Sequence, residues 1–188
     1  MMEGLSDLPF EFLSLNDIGV ESDIEETGTT YKENAILKAE YFGNRTGLVT
    51  VSDDSGIVVE ALKGELGVKT RRWGAGHKAR DEEWLNFFLK RMEREENRQA
   101  EFICVVALFR PGEKTLTFRG ETQGTIIDKP QVAIQQGIPL SSVFLPKGKN
   151  KVYLALEKEE IKTISHRGKA IRKCHDFLQK MINQKSEI

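Results

Sequence analysis

A central pair of apolar segments, separated by a tight turn, limits the folds open to this chain more than any other feature. Residues 101–110 (EFICVVALFR) and 115–120 (TLTFRG) are rich in β-branched and aromatic side chains, and Pro111-Gly112 separates them. Two such runs joined by a turn predict a β-hairpin. A sheet that contains a hairpin is not built from βαβ units alone. With the helices predicted on either side, the hairpin favours an α/β or α+β domain with a mixed sheet.

Three segments have the apolar spacing of helices that bury one face. The first covers residues 30–42, and we expect Gly43-Asn44 and Gly47 to end it. The second begins at Asp81, its predicted N-cap, and the third begins at Ser165. The side chains predicted to face the core are Tyr31, Ala35, Ala39 and Phe42; Trp84, Leu85, Phe88, Leu89 and Met92; and Ile171, Cys174, Leu178 and Met181.

Two further strands are predicted outside the hairpin. Residues 48–51 (LVTV) form a short apolar run, which indicates a short buried strand. Residues 151–157 (KVYLALE) alternate in polarity, as a half-buried strand does. Between the hairpin and that segment, glycine and proline punctuate residues 124–148, which predicts loops.

Length and charge exclude several classes of protein. A chain of 188 residues is most simply one domain, which we place at residues 1–188. The net charge of −1 implies no strong attraction to nucleic acid or to an anionic membrane. Cys104 and Cys174 lie in apolar patterns, so we expect buried, reduced thiols and a cytoplasmic protein. No signal peptide or spanning segment is expected.

Two adjacent carboxylates, Asp53 and Asp54, follow the apolar run at residues 48–51. One interpretation is a polar turn, because Asp, Ser and Gly are common turn formers. The other is a functional site, since sites in α/β proteins commonly gather at strand ends. Consecutive side chains of an extended chain face opposite ways. At most one of the two acids therefore faces a given cation, and the other has a supporting role.

Glu33 lies three residues after Thr30, and this spacing matches a capping box. Its carboxylate then bonds back to the Thr30 backbone and needs no further role. Alternatively, Glu33 shares a divalent cation with the acid pair, since Mg²⁺ is often held by one or two carboxylates and substrate phosphates. The sequence leaves open which end of this helix lies near the acids.

Basic residues occur at two further places that could contact a nucleotide. Ser165-His166-Arg167 begins the last helix, where free N–H groups and the helix dipole favour an anion. Arg72 lies beside Trp73 in a glycine-rich loop. Each place alone is equally compatible with solvated side chains. Together with the carboxylates, however, they supply the groups that a nucleotide hydrolase needs.

Five separate segments, in order, resemble motifs of the inosine/xanthosine triphosphate pyrophosphatase family. EETGTTYKENAILKA is similar to the family's E-x-G-x-[ST]-[FY]-x-E-N-A-x-x-K-A, and SDDSGIVVEALKGELGV to its A-D-D-S-G-L-x-V-x-A-L-x-G-x-P-G-V. TRRW, FRGETQGTI and ISHRGKA correspond to three further blocks. The resemblance covers most of the chain. It implies an elongated α/β fold with a long mixed sheet flanked by helices, a central cleft between two lobes, and usually a homodimer.

The resemblance also implies an activity and a role for each matching residue. The activity is Mg²⁺-dependent hydrolysis of ITP, dITP or XTP to the monophosphate and pyrophosphate. Glu33 would be a metal ligand, and Asp54 would bind the metal and act as the general base, supported by Asp53. The substrate would be contacted by Ser55, Arg72, His166 and Arg167, the last two at the purine base.

The sequence departs from the family pattern at three places. The family begins with a strand and a [ST]-G-N-x-x-K phosphate loop, which we do not find, so we expect a late start codon or a truncated chain. The family's G-F-G-Y-D-P is replaced by residues 137–142 (GIPLSS), with Ser141 at the aspartate, and its base-contacting lysine by Ile161. The alternative hypothesis is therefore a divergent nucleotide-binding protein of the same fold with weak or no hydrolysis.

Overall fold

The structure, a computed structural model, describes residues 2–68, 73–74 and 78–185. Within these residues four helices accompany four strands of one sheet, which confirms the α/β class. The helices are α1 (Tyr31–Thr46), α2 (Asp81–Met92), α3 (Lys158–Ile164) and α4 (His166–Lys185). The strands are β1 (Thr50–Val59), β2 (Gln99–Phe109), β3 (Leu116–Ile126) and β4 (Phe144–Pro146).

The described strands form one sheet in the order β1-β2-β3-β4. The hairpin predicted around Pro111-Gly112 is confirmed as β2 and β3. Strand β4 pairs antiparallel with β3, with Gly124 opposite Pro146. A Cβ on Gly124 would lie 2.5 Å from the carbonyl oxygen of Leu145, so glycine is needed there for the two strands to approach.

Strand β1 is longer than predicted and runs through the acid pair. Residues 48–51 were expected to form the whole strand, but it begins at Thr50 and continues to Val59. The polar-turn interpretation of Asp53 and Asp54 is therefore wrong. Each carboxylate has tertiary hydrogen-bond partners, and these contacts outweigh the low strand propensity of aspartate.

The segment KVYLALE is not a strand. Its centre, Tyr153–Ala155, is a short 3-10 helix, and Val152 and Leu156 are the buried residues beside it. Val152 and Leu156 are four positions apart. This spacing occurs both on one face of a helix and in the alternating pattern of a strand, so the sequence did not distinguish the two. Helix α3, which follows directly, has no buried residues and therefore no apolar stripe from which to predict it.

Helix α1 continues past the expected end at Gly43. A Cβ at Gly43 would lie 2.1 Å from the Phe109 ring, so this glycine serves close packing rather than helix termination. The helix ends at Gly47, whose φ of 72° is left-handed and whose N–H donates to the Gly43 carbonyl oxygen at 2.8 Å. Helix α2 begins at Asp81 itself, with Arg80 in the cap position, one residue earlier than predicted.

The residues divide into two compact units. The first unit comprises Met1–Asp54, Cys104–Gly120 and Arg167–Ile188, and the second comprises Ser55–Ile103 and Glu121–His166. Each has its own buried core, and the helical faces predicted from the sequence contribute to both. Within the described residues, no helix combines the length and the apolar composition that crossing a membrane requires. A single domain with a cleft between two lobes stays a prediction.

Candidate functional site

The two adjacent acids of β1 have different partners. Asp54 contacts Asn34 and Lys38 of α1, whereas Asp53 contacts Cys104 of β2 and Arg167 of α4. This is the alternation expected of consecutive residues in a strand. All of these residues belong to the first unit.

Asp54 lies between an amide and an ammonium group. Nδ2 of Asn34 donates to its Oδ2 at 3.2 Å, and Nζ of Lys38 lies 3.6 Å from its Oδ1. The Asp54 side chain is only 14% exposed. Both neighbours offer N–H groups, so they stabilise the charged carboxylate rather than the protonated acid. An ionised, positioned carboxylate can accept a proton from water.

Asn34 is the most constrained polar side chain around Asp54. It is 1% exposed, and its Oδ1 accepts a 2.8 Å hydrogen bond from the Gly28 N–H. That bond fixes the amide orientation, so Nδ2 must face Asp54. A Cβ at Gly28 would lie 2.4 Å from this oxygen. The position of the Asp54 carboxylate is thus linked to the loop that precedes α1.

Lys38 connects Asp54 to a third carboxylate. Its Nζ lies 2.6 Å from Oε1 of Glu26, closer than to Asp54. The Lys38 side chain is 21% exposed, so its charge is partly withdrawn from water and its two acidic neighbours stabilise it. Lys38 therefore offsets part of the negative charge at Asp54 without a close, bidentate pairing.

Glu33 forms the capping box predicted from the sequence. Its Oε2 accepts hydrogen bonds from the N–H and hydroxyl of Thr29, at 2.7 and 2.8 Å, and from the Thr30 N–H at 3.2 Å. The Thr30 hydroxyl in turn accepts from the Glu33 N–H. The Thr29 hydroxyl and then the backbone N–H groups lower the pKa of Glu33, which is exposed to solvent. Capping is confirmed, and metal binding by Glu33 stays a prediction.

The structure also answers which end of α1 lies near the acids. Asn34 follows Glu33 directly and contacts Asp54, so the first turn of α1 packs against β1 at this residue. A second contact, from the Ser52 hydroxyl to the Ala35 carbonyl oxygen at 2.6 Å, holds the same two elements together.

Asp53 is held by Arg167 and Cys104. Both Nη2 and Nε of Arg167 approach its Oδ2, at 2.9 and 3.2 Å, and the Cys104 Sγ lies 3.6 Å away. Burial, and then the negative charge of Asp53, raise the pKa of Cys104 to about 12. This thiol stays protonated and donates to Asp53, so it is not a nucleophile. The free, buried state predicted for both cysteines is confirmed.

His166 lies in an aromatic cluster in the second unit. Its ring stacks on Phe102, with centroids 5.1 Å apart and planes 17° apart, and lies 6.3 Å from Tyr153. Phe144 completes the cluster, 4.4 Å from Phe102. Stacking therefore fixes the ring of a residue predicted to contact a purine base.

The remaining predicted residues are distributed as follows. Ser55 belongs to the second unit and is partly buried in β1. Arg72 lies outside the described residues. Ser141, which stands where the family pattern has an aspartate, lies in the 3-10 helix Pro139–Ser142 and is 5% exposed.

Asn34 and Lys38 were missed in the sequence, although a signal for them exists. Both fall on the apolar stripe of α1, because positions 31, 34, 35, 38, 39 and 42 share one helical face. A polar residue on a stripe that faces the core must be satisfied by some partner. That requirement makes both residues recognisable candidates from their spacing alone.

The donor chemistry fits a divalent cation that arrives with a phosphate. In residues 2–68, 73–74 and 78–185, no three His, Cys, Asp or Glu side chains cluster so as to hold a metal alone. Glu33 and Asp54 are two carboxylates joined through Asn34 and the first turn of α1. Mg²⁺ commonly binds to one or two carboxylates and completes its octahedron with water and phosphate oxygens. The set therefore suits a metal that the substrate brings.

These observations define an α/β protein with a carboxylate pair flanked by an ammonium group on one side and a guanidinium on the other. Comparison with known proteins identifies the family. The profile of the Ham1 family matches residues 1–177, and this chain belongs to that family.

Curated relatives support the family found from the sequence motifs. A dITP/XTP pyrophosphatase of Bacillus licheniformis is 38% identical over 171 residues, which are 90% of this chain and 86% of the relative. One of the same name from Geobacter sulfurreducens is 39% identical over 176 residues, 93% of this chain and 87% of the relative. The predicted resemblance to nucleotide pyrophosphatases is confirmed.

Two solved structures share the fold. The Staphylococcus aureus Ham1 protein superposes with a TM-score of 0.85 at 30% identity, covering 96% of this chain and 91% of its own. A HAM1 protein from Coxiella burnetii gives 0.86 at 33% identity, covering 95% and 91%.

Proposed function

We propose that this chain is a nucleoside triphosphate pyrophosphohydrolase that acts on deaminated purine nucleotides such as ITP, dITP and XTP. The observation that carries the proposal is the environment of Asp54, a nearly buried carboxylate held by Asn34 and Lys38. The family and the names of the curated relatives supply the reaction class.

In the proposed reaction, Asp54 orients a water molecule and accepts its proton. The water oxygen bonds to the α-phosphorus, the bond from this phosphorus to the α,β-bridging oxygen breaks, and pyrophosphate leaves with that oxygen. Asn34 keeps Asp54 in place, while Lys38 stabilises its charged form. Asp53 orients Arg167, whose side chain is 51% exposed and whose guanidinium is suited to contact the substrate.

Mg²⁺ is the proposed cofactor, with Glu33 and Asp54 as its protein ligands. When bound, it would neutralise phosphate charge during the displacement. The Thr29 and Thr30 donors lower the pKa of Glu33, so this carboxylate is ionised at neutral pH and ready to accept a cation.

The substrate contacts are proposed from the family pattern. His166 and Arg167 would contact the purine base, and Ser55 and Arg72 would contact other parts of the substrate. Stacking of the His166 ring on Phe102 supports the first assignment, because a fixed imidazole presents its nitrogen atoms in a defined direction. We further propose a cytoplasmic homodimer, as is usual in the family.

A second candidate is a nucleotide-binding protein of this fold with little hydrolysis. Residues 139–142 favour it: all four are buried, and the Ser142 hydroxyl donates to the Pro139 carbonyl oxygen at 2.7 Å. The segment that replaces the family's purine-holding motif therefore packs inward, and Leu140 joins the core of the second unit. Altered base preference is the milder consequence of the same change.

One experiment separates the two candidates. Pyrophosphate release is measured with Mg²⁺ and, in turn, ITP, XTP, dITP, GTP and ATP, for the wild type, Asp54→Asn and Asp128→Asn. Asp128 is 90% exposed, so its variant is a matched control. We expect release from at least one deaminated nucleotide, a loss of at least about 100-fold in Asp54→Asn, and no loss in the control.

The failures of that experiment are distinct. No release from any nucleotide, with nucleotide binding intact, favours the second candidate. Equal turnover by Asp54→Asn and the wild type rejects Asp54 as the base while leaving the reaction class in place. Unchanged far-ultraviolet circular dichroism and thermal unfolding verify that each variant is folded.

A further inference from the structure

Cys104 is a buried thiol that contacts a carboxylate of the candidate site. It lies on β2, whose neighbour in the sheet is β1, the strand that carries Asp53. Cys104 is 0% exposed, and its Sγ lies 3.6 Å from Oδ2 of Asp53. Cys104, Asp53 and Arg167 all belong to the first unit, so their contacts join β2, β1 and α4 within one compact body.

The contacts of the Asp53 carboxylate described above converge on one oxygen. Nη2 and Nε of Arg167 lie 2.9 and 3.2 Å from Oδ2, and the Cys104 thiol donates to the same atom. Arginine and carboxylate frequently form a fork instead, in which two N–H groups meet two oxygens. With one oxygen as the acceptor, the direction of the guanidinium depends on where Oδ2 lies. The terminal torsion of aspartate is broad, so the side chain alone does not fix that position.

The thiol is the rigid partner of this oxygen. Cys104 belongs to a run of buried residues, 103–109, in β2, whereas the Arg167 side chain is 51% exposed. A short side chain in a close-packed core keeps one rotamer, while a long exposed side chain has many rotamers to lose. The thiol therefore sets the position of Oδ2, and the guanidinium follows it.

The chemistry of a thiol suits this position. Cys104 packs in the apolar core cluster of the first unit and must still offer a donor to a carboxylate that is 18% exposed. A thiol packs as a small hydrophobic group and donates a weak hydrogen bond. Burial, and then the charge of Asp53, raise the pKa of Cys104 to about 12, so the thiol keeps its proton at neutral pH.

We propose that Cys104 is a positioning residue, whose thiol holds the Asp53 carboxylate in the orientation that directs the Arg167 guanidinium toward the substrate. Cys104 itself touches no reacting atom and acts through Asp53. The consequence for substrate binding rests on the proposed function, whereas the orientation of Arg167 by the thiol does not depend on it.

Cys174 provides a matched control for the loss of packing. It is also 0% exposed and lies in the same core cluster, and burial raises its pKa to about 12. In the part of the chain that the structure describes, Asp53 accepts a hydrogen bond from Cys104 and not from Cys174. Alanine at either position therefore removes a sulfur from the same core, but at Cys104 it also removes the donor to Asp53.

The test compares Cys104→Ala and Cys104→Val, which lack a donor, with Cys104→Ser, which retains one, and with Cys174→Ala. Valine keeps the core filled if alanine destabilises the fold. The first measurement needs no substrate: the Nε–H signal of Arg167 in ¹⁵N NMR, assigned as the signal that Arg167→Lys lacks. The second is KM and kcat for pyrophosphate release with Mg²⁺ and the nucleotide that the wild type hydrolyses best.

We expect the Arg167 signal to move or broaden in Cys104→Ala and Cys104→Val. KM should rise about fivefold in both, the net worth of one hydrogen bond. The value of kcat should change less than about threefold, because Arg167 is proposed to contact the purine base rather than the reacting phosphate. Cys104→Ser should restore the signal and KM, and Cys174→Ala should leave both as in the wild type.

Three results would overturn the proposal. An Arg167 signal that stays in place in both donor-free variants shows that the thiol does not orient the guanidinium. An equal change in Cys104→Ser or Cys174→Ala shows an effect of packing alone. A signal that moves while KM stays constant removes the role in substrate binding. Absence of hydrolysis by the wild type refutes the proposed function instead, and the Arg167 signal still decides between positioning and packing.

Discussion

Replacing Asn34 by aspartate gives a sharp test of the environment of Asp54. The substitution keeps the shape of the side chain but places a second carboxyl group about 3.2 Å from the Asp54 carboxylate, at the position of the donating amide. Two unit charges at this separation interact by about 5 kcal/mol at an effective dielectric constant of about 20. An energy of that size raises the pH at which the pair of carboxyl groups loses its last proton by roughly four pH units.

The variant should therefore share one proton between two carboxyl groups at neutral pH. While the introduced carboxyl keeps its proton, it can donate to Asp54 as the amide does, and pyrophosphate release continues. Above the pH at which that proton is lost, release should fall, whereas the wild type has no such loss. The rate is measured from pH 5 to pH 9 with the nucleotide that the wild type hydrolyses best.

Stability gives a second measurement that needs no substrate. A carboxyl whose folded-state pKa is raised above its unfolded value destabilises the fold as the pH rises past the unfolded value. The free energy of unfolding in urea should thus fall by several kcal/mol for Asn34→Asp as the pH rises toward 8. Asn44→Asp, an exposed substitution on the same helix, is the matched control. If the pH profiles of the two variants superimpose in both assays, Asn34 does not contact Asp54 as described.

Two further predictions follow from neighbouring contacts. Gly28→Ala places a Cβ 2.4 Å from the Asn34 amide oxygen and 2.8 Å from the Glu33 Cβ. Because these atoms must move apart, we expect the free energy of unfolding to fall by about 1–3 kcal/mol and kcat to fall with it. An unchanged kcat would show that the loop does not position Asp54. The hydrogen bond that the His175 ring donates to the Asp7 carboxylate raises the pKa of His175, so this pair stabilises the fold below the ordinary histidine pKa and loses its effect as the pH rises through the raised value. The Tm difference between the wild type and His175→Gln should accordingly be larger at pH 5.5 than at pH 8.5, and a constant difference would contradict the pairing.

The sequence predicted the elements whose patterns are local and periodic. The hairpin, the three amphipathic helices and the capping box at Glu33 all depend on residues a few positions apart. What it did not predict depends on distant partners. Strand β1 passes through two acids because residues distant in the sequence, from Lys38 and Asn34 to Cys104, contact their carboxylates. Gly43 lies inside a helix because of Phe109, 66 positions later, and no local rule contains that contact.

The candidate site was predicted in part. The residues that resemble family motifs include Asp54 and Glu33, yet the partners of Asp54 were not identified. Asn34 and Lys38 were not predicted because they are polar, whereas the core-facing side of α1 is recognised in the sequence by its apolar residues. Arg167, predicted at the purine base, is paired with Asp53 in the structure, a long-range ion pair that sequence spacing does not encode.

The alternation of Asp53 and Asp54 along β1 makes the strand intolerant of changes in length. Deletion of one residue between Gly47 and Ser52 would move each later residue one position along the pleat and turn it to the opposite face. Asp54 would then meet Cys104 and Arg167, and Ser55 would meet the α1 amide. The two adjacent acids are therefore distinguished by the face of β1 that each occupies, and a deletion in this strand would give each later residue the partners of the residue before it.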